Sequence, residues 1–342
     1  MTTPCRALVL GLSGPSLDQE EARFLQEADP LGFILFARNI ETPEQVTALT
    51  GSLRALVGRD DAPILIDQEG GRVQRLRPPH WRAAPPAGDF GRLAAKDLAA
   101  ARRAVYLNHR LIADELIALG ITVDCAPVVD LRHQGAHEVI GDRAFGGAPI
   151  LVADLGRAAC QGLLDGGVQP VIKHIPGHGR GLVDSHHALP ICALAESELH
   201  ASDFLPFRLL RDQPWAMTAH VVYEALDDKA PATTSAGLID RVIRKDLGFD
   251  GVLISDDLSM QALSGSLSAR ARAAMAAGCD LALHCNGIME EMAEVALAVG
   301  PMSAEAMARL QRGRRGLGPA ETLTAADRRS FGEELESLLQ AA

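Results

Sequence analysis

No apolar stretch of this 342-residue chain approaches the roughly 20 residues needed to cross a bilayer. The first residues, Met1-Thr2-Thr3-Pro4-Cys5-Arg6, open a short apolar run that soon meets Gly11 and Ser13. They lack the basic and apolar regions and the cleavage site of a secretory leader. Both absences predict a cytoplasmic protein with no membrane partner. Positive charge is also scarce: the net charge of −11 excludes a general affinity for nucleic acid or anionic lipid. The six cysteines (Cys5, Cys125, Cys160, Cys192, Cys279, Cys285) include no CxxC or CxC pair and read as buried, reduced thiols. There is no low-complexity tract and no linker. The proline-rich stretch 77–86 is too short to separate domains and reads as a rigid loop, which predicts a single domain over residues 1–342.

What is present is alternation. Short apolar runs occupy residues 7–12, 32–36, 63–67, 121–126, 168–173, 215–220, 251–256 and 279–284. Stretches of helical spacing lie between them, such as 17–27, 43–57 and 288–299. The longest is 92–119, which contains neither proline nor glycine, and residues 324–339 read as an amphipathic helix against the body. Continuous apolar strands followed by helices describe a parallel sheet covered on both faces. Eight such repeats predict an α/β fold of the closed (β/α)8 TIM-barrel type. An open doubly wound sheet is the alternative, since spacing alone does not prove closure.

The runs end in chemistry. Asp67 closes one, Lys173 and His174 another, then His220, Asp256 with Asp257, and His284 with Asn286 shortly after. In a barrel, the C-terminal ends of the strands converge on the face where such folds place their sites. The richest of these ends leads into the loop 173–190, KHIPGHGRGLVDSHHALP. It holds four histidines, a lysine, an arginine and an aspartate, and Pro176, Gly177, Gly179 and Gly181 exclude a helix.

A carboxylate held rigidly at a strand end, as at Asp256, serves as nucleophile, general base, metal ligand or simply a helix cap. Asp257 should point elsewhere and cap the following helix. Asp184 and His186, two apart, suit a pair in which the carboxylate fixes the imidazole and raises its pKa, although so short a motif also occurs by chance. His174, His178, His186 and His187 with Asp67 and Asp256 would also suit a metal. Pro176 and Gly177, however, keep His174 and His178 off a shared helix face, and no His-x-His pair closes an early strand. The expectation is therefore no metal and no cofactor. Arg72, Arg75 and Arg143 carry forked guanidinium groups suited to carboxylate or polyol recognition, and Gly70-Gly71 lets the chain turn so that an arginine reaches back.

Several segments taken together resemble glycoside hydrolase family 3, in particular its bacterial β-N-acetylglucosaminidases of the single-domain cytoplasmic type that recycles peptidoglycan. They are GFILFARN at 32–39, IDQEGGRVQR at 66–75, IGDRAF at 140–145, the loop 173–190, MTAHV at 217–221 and SDDLSM at 255–260, in the family's order. The resemblance implies that Asp256 is the nucleophile and that His186, paired with Asp184, is the acid/base. It implies that Asp67, Arg75, Arg143, Lys173 and His174 hold the N-acetylglucosamine unit. The substrate it implies is a small saccharide or muropeptide, cleaved by a two-step retaining mechanism, and the enzyme would be a monomer without the accessory C-terminal domain of larger relatives. The chain departs from the family pattern at Ile175, where an aromatic residue is frequent, and at Arg180-Gly181-Leu182-Val183 before Asp184. Two other readings compete: a metal-dependent barrel hydrolase, which leaves the arginines unexplained, and a sugar-binding protein without catalysis, which leaves Asp256, Asp184 and His186 unexplained.

Overall fold

A computed structural model describes residues 5–133, 135, 138–181, 189–317 and 321–340. Eight parallel strands close into a barrel: β1 (Arg6–Gly11), β2 (Pro30–Leu35), β3 (Ile64–Ile66), β4 (Val123–Asp124), β5 (Gln169–Ile175), β6 (Trp215–Thr218), β7 (Val252–Asp257) and β8 (Leu281–His284). Each strand pairs with its neighbour in sequence, and β1 pairs with β8 through Leu8↔Ala282, Val9↔Leu283 and Leu10↔His284. The barrel predicted from eight apolar runs is therefore closed, not an open doubly wound sheet. The strands are apolar throughout because one face fills the barrel and the other lies under helices. All seven residues of β5 are buried, Ile175 among them, so that departure from the family pattern faces the core.

Two expectations need correction. The stretch 92–119 is two helices, Ala87–Ala94 and Leu98–Ala118. Asp97 interrupts it: its backbone is extended (φ −145°, ψ 102°) and its carboxylate accepts the N–H of Ala100 at 3.0 Å. An aspartate satisfies the free N–H groups of a first turn better than it continues a helix, so the absence of proline and glycine did not guarantee continuity. The fourth strand is also shorter than the run 121–126. Pro127 has no N–H for the ladder, and pairing resumes beyond it, where Val129 N–H donates to Lys173 O at 2.9 Å. The tail helix, Ala325–Gln340, docks on Leu98–Ala118 as expected, with Glu334 bound by Arg103 Nε and Nη2, each at 2.8 Å. Among the described residues no helix is long and apolar enough to cross a membrane.

Candidate active site

The C-terminal ends of the strands surround a cavity of about 280 Å³, lined by both charged and apolar side chains. Asp67, which directly follows β3, accepts Lys173 Nζ on one oxygen at 2.8 Å and Arg75 Nη2 on the other at 3.0 Å. Arg75 reaches back because Gln68–Gly70 and Val73–Gln74 form a tight antiparallel ribbon. Gly70 and Gly71 turn it at φ +94° and +57°, and a Cβ at Gly70 would stand 2.4 Å from Pro85 O. The side chain of Gln68 then knits the ribbon, accepting the N–H groups of Arg75 and Leu76 at 2.9 and 3.0 Å.

Glu69 is the member of this group that the sequence reading passed over. It binds Arg143 through two 2.8 Å hydrogen bonds and takes Lys173 Nζ at 2.6 Å. Two carboxylates and three cations thus lock the loops after β3 and β4 to β5. Burial opposes the charges of Lys173, Arg143, Asp67 and Glu69, yet the pairing wins. Lys173 and Arg143 hold their protons more tightly than free side chains, Asp67 stays well below the usual carboxylate range, and Glu69 is lowered to about 2. A second clasp, Arg72, joins the same two loops, with Nε on Asp142 at 2.9 Å and Nη2 on the carbonyls of Glu138 and Val139 at 2.6 and 2.8 Å.

His174 is held by Asp130, a residue not anticipated. Asp130 is completely buried; it accepts His174 Nδ1 at 2.7 Å, His174 N–H at 3.2 Å and His178 N–H at 2.7 Å. The contact fixes the Nδ1–H tautomer and leaves Nε2 as the ring's free acceptor. Asp130 ends the apolar segment Ala-Pro-Val-Val-Asp, so the strand-end rule would have found it had the run been followed past Pro127. His178 packs edge-on against His174, their ring centres 5.5 Å apart, and burial followed by that neighbour lowers it to about 4.

Asp256 lies near the end of β7 with its carboxyl on the cavity. It caps no helix. One oxygen accepts the N–H of Asp257 at 2.8 Å, and its own N–H donates to Thr218 Oγ1 at 3.3 Å. Burial alone would raise its pKa, but His220, His174, the Asp257 N–H and Lys173 together hold it below the usual value. Such a carboxylate is ionised at neutral pH. Asp257 corrects an expectation: it too lines the cavity, and it accepts Ser259 N–H at 3.1 Å and Cys285 N–H at 3.2 Å rather than capping a helix. The next helix, Leu267–Ala277, has Ser266 as its cap.

Six of the eight expected site residues, Asp67, Arg75, Arg143, Lys173, His174 and Asp256, therefore meet in one cavity. The other two, Asp184 and His186, lie outside the described residues, as does His187. Among the described residues, the trio of ligand atoms close enough to share a cation is Glu196, His200 and Asp246, none of which lines the cavity. His284, expected at the site, is buried beside Glu291 at 3.6 Å and does not line the cavity.

The model of the glycosyl hydrolase family 3 N terminal domain matches residues 8–314. A β-hexosaminidase of Alkalilimnicola ehrlichii is 45% identical over 283 residues, 82% of this chain and 80% of that one. A β-hexosaminidase of Pseudomonas aeruginosa is 41% identical over 322 residues, 92% of each chain. Among solved structures, NagZ from Neisseria gonorrhoeae in complex with N-trifluoroacetyl-D-glucosamine superposes with a TM-score of 0.86 at 33% identity, covering 99% of this chain and 98% of that one. A glycoside hydrolase family 3 β-N-acetylglucosaminidase from Paenibacillus gives 0.84 at 32% identity, covering 97% of this chain and 66% of that one. A barrel whose strand ends gather an aspartate and a cluster of paired carboxylates and cations on one cavity, matched along most of its length by these enzymes, belongs to glycosyl hydrolase family 3.

Proposed function

We propose that this family 3 glycoside hydrolase is a retaining exo-β-N-acetylglucosaminidase. It removes terminal N-acetylglucosamine from peptidoglycan fragments, N-acetylglucosaminyl-anhydro-N-acetylmuramyl saccharides with or without peptide, in cytoplasmic cell-wall recycling. The observation that carries the reading is Asp256, a rigid, ionised carboxylate on the same cavity as Asp67, Arg75, Arg143, Lys173 and His174. Asp67 keeps its ionised oxygens beside Lys173 and Arg75, which leaves an alternation of donors and acceptors suited to neighbouring sugar hydroxyls.

In the first step Asp256 attacks the anomeric carbon while His186, oriented by Asp184, protonates the departing glycosidic oxygen. The carbon–oxygen bond to the leaving group breaks as the glycosyl-aspartate ester forms. Neutral His186 then takes a proton from water, the hydroxide equivalent displaces Asp256, and both groups return to their starting states. The roles of His186 and Asp184 rest on the sequence motif. A neutral base tolerates an anionic acceptor better than a carboxylate would, so phosphate is a sensible alternative to water. The reading includes the whole chain, residues 1–342, as one catalytic barrel that acts as a monomer and uses no cofactor.

The test is nitrophenol release from the β-N-acetylglucosaminide in the presence of EDTA, with and without phosphate. The expected result is chelator-resistant turnover that Asp256→Asn abolishes and His186→Ala strongly reduces. A phosphate-dependent glycosyl phosphate product would change the acceptor and leave the nucleophile in place. Full activity in Asp256→Asn, or none in folded wild type, overturns the reading.

A further inference from the structure

The backbone ladder that should fix Asp256 reaches Asp257↔Leu283 on the β8 side but ends early on the other. On the β6 side, register pairs run Val252↔Trp215, Leu253↔Ala216 and Ile254↔Met217, and stop there. Beyond them a chain of side chains takes over. Asp256 N–H donates to Thr218 Oγ1 at 3.3 Å; Thr218 Oγ1 lies 2.8 Å from Thr233 Oγ1; Thr233 Oγ1 lies 2.7 Å from His220 Nδ1; His220 Nε2 lies 3.0 Å from the carbonyl oxygen of Asp257. Thr218, His220 and Thr233 are completely buried.

The protons in this chain run one way. A carbonyl oxygen only accepts, so Nε2 carries the hydrogen. Nδ1 of the neutral ring then accepts from the Thr233 hydroxyl, whose one proton is shared with Ala219 O at 3.1 Å, Thr233 accepts from Thr218, and Thr218 accepts from Asp256 N–H. Each group is satisfied without an ionised histidine, and burial accordingly lowers the pKa of His220. The loop carrying Thr233 is itself tied down, with Ala232 N–H on Val221 O at 2.9 Å.

We propose that His220 is a positioning residue: with Thr218 and Thr233 it brackets the backbone from the Asp256 N–H to the Asp257 carbonyl and so aims the Asp256 carboxylate into the cavity. The inference rests on Asp256 being the nucleophile. A nucleophile needs a near-attack geometry of about 3–3.5 Å, and a misplacement of about 1 Å can cost about 10²-fold in rate. Thr218, His220 and Thr233 do not line the cavity, so substrate affinity should be spared.

The experiment compares His220→Asn, His220→Gln, Thr233→Val and Thr233→Ser on the nitrophenyl β-N-acetylglucosaminide, beside Asp256→Asn. Asparagine keeps an atom at the Nδ1 position and loses the donor to Asp257; glutamine keeps a donor at the Nε2 position. Valine removes the Thr233 hydroxyl and serine keeps it. The expected result is a fall in kcat of about 10²-fold with little change in KM for His220→Asn and Thr233→Val, with recovery to within a few-fold of wild type in His220→Gln and Thr233→Ser. Equal losses in the members of each pair, a rise in KM at unchanged kcat, or wild-type kcat in His220→Asn and Thr233→Val overturns the inference. Should His220→Asn fail to fold, the Thr233 pair decides alone. If Asp256→Asn turns over substrate, the nucleophile reading has failed instead, whatever the bracket variants do.

Discussion

Replacing Asp130 by asparagine probes the fold and the site together. The carboxylate receives three donors: His174 Nδ1–H at 2.7 Å, His178 N–H at 2.7 Å and His174 N–H at 3.2 Å. Asparagine keeps the shape but offers one accepting oxygen and one donating NH2. The backbone N–H of His178 cannot change, so the oxygen must stay there and the NH2 must face His174 Nδ1. The imidazole escapes this donor–donor clash by moving its proton to Nε2, which then presents a donor to the cavity where wild type presents an acceptor. Losing one charge-assisted hydrogen bond costs about 2 kcal/mol. With an unfolding entropy of ~2.1 cal/mol/K per residue over 342 residues, that lowers Tm by about 3 °C. If His174 holds the sugar as proposed, inverting its polarity should reduce kcat/KM about 10- to 100-fold, as loss of an orienting partner does elsewhere. The acid side of the stability profile should change as well. The Asp130 carboxyl sits below its usual value because the His174 contacts outweigh burial. Its contribution is therefore full above the unfolded pKa, is lost as pH falls through the depressed folded one, and is absent from the variant. Urea melts at pH 3 to 7, steady-state kinetics and ¹⁵N imidazole spectra provide the readouts. Unchanged stability with His174 still protonated at Nδ1 would refute the reasoning.

Glu69→Gln removes one carboxylate from between Lys173 and Arg143, and breaking so buried a pair should destabilise the chain by about 3 kcal/mol or more in denaturant melts. Because Glu69 is held at about 2 against 4.5 for a free side chain, its contribution is complete above about pH 4.5 and fades as pH falls toward 2, so the variant should lose stability less steeply across that window. Gly179→Ala would put a Cβ 2.0 Å from Leu131 O, a backbone atom with no room to retreat, and should cost about 1–3 kcal/mol and most of the activity; a wild-type Tm and kcat would count against the packing described. All six cysteines are free and buried, so a thiol-reactive dye should label none in the native protein and six after denaturation.

The barrel was legible because its strands are apolar on both faces and five of the eight apolar runs end in titratable residues. Where the fold departed from the reading, a single residue is responsible. Asp97 finds a better partner in the N–H of Ala100 than in a continuing helix, and Pro127 clips a strand that pattern alone would extend. The cavity cluster was legible as residue types at strand ends, but its wiring was not. Glu69 stands only two places beyond Asp67, yet nothing in the string says that it, rather than solvent, meets Arg143. Thr218 and Thr233 carry no signature at all: a hydroxyl becomes part of the site only through where β6 and its loop place it. Tertiary proximity supplies that information, and local sequence does not.

Closure of the barrel through β1 and β8 has a consequence for synthesis. Residues Leu8 and Ala282 must meet across most of the chain before either strand has both neighbours, and Arg38 stitches the same seam by binding Leu12 O and Cys285 O. While the ribosome is still translating the segment before Leu281, β1 and β7 each present an unpaired edge, the kind of template on which nascent chains aggregate. Cys285 and Leu283, which wall the cavity beside Asp256, are also still to come. A product that stops short of Leu281 would therefore lack both the strand that closes the barrel and part of the cavity wall.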